Sequence, residues 1–157
     1  MSEDGPGGEP RGYTYDPRRP VPTLGGRNML IDAGSRDQRP VQALPEYGLI
    51  YRGPVLTSDL TIAGPVRAML HVSSDCPDTD FVVKLIEATP DGRAMLLMDG
   101  IQRALYRDDP CEARPMTQGE TCRVEIGLAD IHHTFRAGSC IEVDVTSSNF
   151  PRRARNT

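Results

Sequence analysis

The sequence predicts an all-β sandwich, and three observations carry that prediction. Apolar residues recur at a period of two in several short segments after Gly48; 15 glycines and 14 prolines punctuate the 157 residues; and no segment holds an i, i+3, i+4, i+7 apolar stripe over helical length. A chain of this length can bury one sizeable core but not two ordinary ones, so a single domain is expected.

The elements follow in order. Residues 1–12, MSEDGPGGEPRG, are expected to form a disordered leader, and residues 13–47 an extended arm, because apolar pieces such as Met29-Leu30-Ile31 are too small to bury a face alone. Within the arm, Leu24-Gly25-Gly26-Arg27 reads as a flexible corner and has neither phosphate-loop spacing, G-x-x-x-x-G-K-[ST] or G-x-G-x-x-G. Strand texture is clearest where Val66, Ala68, Leu70 and Val72 interleave with Arg67, Met69, His71 and Ser73. Two apolar runs, 81–86 and 94–98, then flank Pro90-Asp91-Gly92-Arg93. Asp and Gly tolerate the positive φ of a tight turn, so this is a hairpin.

Residues 101–107 alternate again and read as a further strand, followed by a polar, proline-broken connection from Asp108 to Glu120. Cys122, Val124, Ile126 and Leu128 oppose Arg123, Glu125 and Gly127. Ile141, Val143 and Val145 oppose Glu142, Asp144 and Thr146. Between these two strands, Ala129 to Phe135 reads as a short helical turn and Arg136 to Ser139 as a turn into the last strand. Six or seven strands at this spacing make a sandwich.

Composition excludes several function classes. A net charge of −4 with no sustained basic stripe argues against nucleic acid as a partner, and the small basic tail of Arg152, Arg153 and Arg155 is expected to be solvated. No run approaches the roughly 20 apolar residues of a membrane helix, and the N-terminus lacks the basic start and apolar run of a signal peptide. No membrane partner is expected, and a cytoplasmic location is the default. Cys76, Cys111, Cys122 and Cys140 show no C-x-x-C and no histidine at zinc-ligand spacing. They read as reduced thiols, and neither a metal nor another cofactor is expected.

Two constellations invite a chemical reading. The stretch SDCPDTDF places Asp75, Asp78 and Asp80 close enough to chelate a cation or share a proton. The spacing does not match a calcium loop, and Pro77 breaks the ladder between two strands, so a turn accounts for all three carboxylates. A Ser-His-Asp triad can also be assembled on paper from Ser139, His132 or His133, and Asp130. No G-x-S-x-G elbow exists, however, and Ser35 and Ser139, which each follow a glycine, read as turn residues. Adjacent histidines point to opposite faces on a strand and diverge by about 100° on a helix, so in neither case do His132 and His133 form a natural two-ligand metal site, and His71 falls on the polar side of its strand. No catalytic, cofactor-binding or metal residue is assigned.

The segments RDQRPV (36–41), SSDCPDTDFVVKLIEATPDGRA, DGIQRALYR, FRAG and VTSSNFPR, in this order, resemble the C-terminal domain of the X-prolyl dipeptidyl peptidase and cocaine-esterase-like hydrolases, a group that includes α-amino-acid ester hydrolases. The resemblance runs from about Tyr13 to the end of the chain. It implies a jelly-roll β-sandwich of the galactose-binding-like type over 13–157, packed on an α/β-hydrolase catalytic domain, in cis or in trans. It also implies that the Ser-Asp-His triad lies in that other domain. The family's hydrolase domain precedes this one and its jelly roll continues into a final strand. The chain is therefore expected to be a truncated or split product with one sheet edge unpaired and an apolar face that favours association, including a homo-oligomer. The alternative is a free-standing carbohydrate-binding jelly roll; against it, there is no tryptophan and aromatic residues make up only 5%.

Overall fold

The computed structural model describes residues 9–29, 31 and 33–156; the disorder expected of residues 1–8 lies outside the described residues. Among these, six strands form: β1 (Leu49–Val55), β2 (Leu60–Val72), β3 (Asp80–Ala88), β4 (Ala94–Arg103), β5 (Cys122–Phe135) and β6 (Cys140–Thr146), preceded by a single helical turn, α1 (Arg39–Gln42). They build a four-stranded sheet in the order β1-β6-β3-β4 and a two-stranded sheet β2-β5, every pairing antiparallel. The two layers enclose Phe81, Val83 and Leu85 of β3, Met98 of β4, Val124, Ile126, Leu128 and Phe135 of β5, and Val145 of β6. The sequence periodicity had placed Val124, Ile126, Leu128 and Val145 on shared faces, because alternate side chains of a strand share a face.

The hairpin forms where the Asp-Gly pair requires it. Thr89 N–H donates to Arg93 O at 2.8 Å, Gly92 N–H to Thr89 O at 2.9 Å, and Gly92 has φ +84°. Beyond it the structure corrects two expectations. Residues 94–98 and 101–103 are one strand, because Leu85 faces Met98 while Ile86 faces Leu96, leaving Leu97 as a bulge that breaks the alternation. The strand expected to reach Arg107 ends at Arg103. Ala104 N–H instead bonds Thr79 O at 2.8 Å, and the chain closes into a 3-10 turn over Ala104–Tyr106.

Residues 129–135 are strand, not a helical turn. They pair with Leu60–Val66, but Val66 faces Ala129 and Arg67 faces Gly127, so Leu128 is inserted and Ala129 is driven to φ 145°. That bulge breaks the period of two, which is why the sequence pattern ends there. Nearby, a Cβ on Gly100 of β4 would lie 2.5 Å from Gly127 O of β5, so the two sheets meet backbone to backbone at this corner.

The arm is also more ordered than expected. Residues 36–38 lie along the edge of β4, with Gln38 N–H donating to Ala94 O at 2.7 Å and Leu96 N–H to Arg36 O at 3.0 Å. Val21, Val41 and Tyr47 form a second apolar cluster with Leu24 and Ile50. Gly25 and Gly26 are buried at φ +74° and +88°, so the expected flexible corner is a fixed one. The end of the chain is knitted to the arm, as Thr23 N–H donates to Phe150 O at 2.6 Å and Phe150 N–H to Val21 O at 3.0 Å.

Candidate functional site

Three groups of polar side chains carry enough chemistry to be weighed as sites. The first contains the serine and one histidine of the paper triad. Ser139 Oγ donates to Glu87 Oε1 at 2.7 Å, His133 Nε2 lies 2.9 Å from Glu87 Oε2, and Arg136 N–H donates to Glu87 Oε1 at 3.2 Å. The acid therefore sits between serine and histidine. A hydrolytic triad needs the histidine in the middle, taking the serine proton while the acid orients its far nitrogen. His132 points to solvent opposite Ala63, and Asp130 is exposed opposite Pro65. Ser35 is an exposed arm residue and His71 an exposed strand residue opposite Arg123.

Glu87 is buried at the end of β3, where it ties β5 to the turn that leads into β6. Burial alone would raise its carboxyl. The bonds from Ser139, His133 and the Arg136 amide outweigh that and hold it below the ordinary value. His133 also meets the Phe135 ring edge-on at a centroid distance of 4.8 Å. This group holds a corner of the sandwich together and leaves no unengaged nucleophile.

The second group is SDCPDTDF, which forms the connection between β2 and β3. Asp78 is fully engaged: Arg103 Nε donates to Oδ2 at 2.6 Å, Leu105 N–H to Oδ1 at 3.0 Å, and Asn156 Nδ2 to Oδ2 at 3.2 Å. Asp80 is buried, and burial raises its carboxyl above the ordinary value, while Asp75 is exposed. Ser74 Oγ accepts Cys76 N–H at 3.0 Å, the local side-chain bond of a turn. Asp78 is thus engaged by Arg103, Asn156 and the Leu105 amide, and among the described residues no group of three or more His, Cys, Asp or Glu side chains is placed to hold a metal ion.

The third group was not legible as a site. Glu142, Asp144 and Thr146, which oppose Ile141, Val143 and Val145 in the sequence pattern, are each 0% exposed. The outward positions of the large sheet align in one row, Ile50 of β1, Asp144 of β6, Lys84 of β3 and Asp99 of β4, so that Lys84 stands between two carboxylates. Arg152 extends the row by placing Nη1 2.5 and 2.6 Å from the two oxygens of Asp99, and is not the solvated tail residue expected. Arg155 is likewise engaged, its guanidinium lying 5.4 Å from the centre of the Phe150 ring.

The arm closes over this row with neutral groups. Lys84 Nζ donates to Gln38 Oε1 at 3.0 Å and to Tyr47 OH at 3.4 Å, and Tyr47 OH donates to Asp144 Oδ2 at 2.5 Å. Gln42 Nε2 donates to Glu142 Oε1 at 2.7 Å and Asp144 Oδ2 at 2.8 Å, and Arg52 Nε to Glu142 Oε2 at 2.6 Å. Burial lowers the Lys84 ammonium to about 8 against the pull of Asp144 and Asp99. Burial also raises the carboxyl of Asp144 and the phenol of Tyr47 above their ordinary values. Alternating charges that compensate one another beneath a covering arm can hold that arm down. The sequence signal was a lone lysine inside the apolar run FVVKLIEA, in a strand buried on both faces.

The family model for the X-Pro dipeptidyl-peptidase C-terminal non-catalytic domain matches residues 15–157. A cocaine esterase from Rhodococcus sp. (strain MB1 Bresler) is 42% identical over 147 residues, which are 92% of this chain and 25% of the esterase. Two solved structures are similar throughout: an aminopeptidase from the marine sediment archaeon Thaumarchaeota archaeon, with TM-score 0.81 and 31% identity, and an α-amino acid ester hydrolase, with TM-score 0.82 and 30% identity. Each is matched over 92% of this chain and 26% of its own. The chain spans about a quarter of the length of these relatives. It belongs to the family of X-Pro dipeptidyl-peptidase C-terminal non-catalytic domains.

Proposed function

We propose that this chain is the accessory domain of a serine hydrolase acting on ester or peptide bonds, and that it packs against and supports an α/β-hydrolase catalytic domain supplied by another part of the polypeptide or by another chain. It contributes no catalytic residue, metal or cofactor site. The observation that carries this reading is the order serine–acid–histidine at Ser139, Glu87 and His133, which cannot relay a proton from serine to histidine. The lengths of the similar ester hydrolase, esterase and aminopeptidase support it, since this domain is a quarter of each.

The reading is tested by assaying the purified chain with a chromogenic acyl ester, alone and after addition of a cocaine-esterase fragment lacking its matching quarter. No turnover by the chain alone, together with a raised melting temperature and longer-lived activity of the fragment, is the expected result. Ester turnover by the chain alone that is lost in His132→Ala or His133→Ala would overturn it.

A further inference from the structure

We draw no further inference here: the strongest candidate, the open flank of the sandwich where the inward side chains Ile62, Val66 and Leu70 stay half-buried beside the outer edge of β2, carries nothing because nothing in the structure shows what covers it.

Discussion

Ser139 and His133 contact different oxygens of the Glu87 carboxylate, so the two side chains that a triad would place in direct contact are separated by the acid. Their contribution is to stability. Ser139→Ala leaves a buried carboxylate oxygen short of one charge-assisted bond, and a loss of about 1–3 kcal/mol is expected in urea unfolding. Any ester turnover measured for the chain should be unchanged by the substitution. An unaltered unfolding midpoint would show that the bond is not made in solution.

Glu87 also sets an acid limit. Its carboxyl is held below the ordinary 4.5, so the folded chain keeps it ionised at a pH where the unfolded chain takes up a proton. The stabilisation is fully present above about pH 5 and falls away as pH drops through 4.5 and below. Glu87→Gln should therefore be less stable at neutral pH and show a shallower loss between pH 5 and 3. Parallel stability curves for the two proteins would refute this assignment.

Lys84 carries the opposite signature. Its ammonium is lowered from 10.5 to about 8, so between those values the unfolded chain binds a proton that the folded chain lacks. Stability then rises with pH across that window, and the full burial cost is present below about 8. In Lys84→Met this rise should disappear from denaturant unfolding measured between pH 7 and 10. If the rise persists, it comes from another group.

Gly100 has no room for a side chain, because a Cβ there would come 2.5 Å from Gly127 O and 3.0 Å from Ile126 Cγ2. The obstructing atom is backbone and cannot rotate away. Gly100→Ala should cost about 1–3 kcal/mol or prevent folding, whereas Gly127→Ala, which has open space, should be far milder. Circular dichroism melts of the two variants make the comparison, and equal melting temperatures would count against the close contact.

The pair Asp99–Arg152 joins the end of the chain to the large sheet, with side chains only 4% and 14% exposed. Arg152→Ala removes the guanidinium from a buried carboxylate that keeps only the Asn149 amide and the neighbouring Lys84, and should cost about 1–3 kcal/mol. Arg153→Ala, at a neighbouring position with no such partner pair, should fall within about 0.5 kcal/mol. Chemical unfolding of both variants distinguishes a structural arginine from a solvated tail; equal effects would favour the tail.

By itself the sequence determined the all-β class, the hairpin at Asp91-Gly92, the inward faces of β6, of β2 from Val66 and of β5 as far as Leu128, and the turn role of SDCPDTDF. Each of these is written in neighbouring residues, through a period of two or through the backbone freedom of Gly and Asp. The ordered motifs also marked the family. What periodicity could not register were the bulges at Leu97 and Leu128, since one inserted residue resets the alternation and looks like the end of a strand. Tertiary structure alone decided the fate of the polar faces. Glu142 and Asp144 alternate with apolar residues and Lys84 interrupts an apolar run, yet these polar groups and Asp99 are buried because the arm and the end of the chain, distant in sequence, lie across them. The position of Glu87 between Ser139 and His133 likewise depends on β3, β5 and the turn before β6 meeting, with separations of 46 and 52 residues along the chain. Contacts at such distances leave no local pattern, so the order of the three groups became visible only when the sandwich closed.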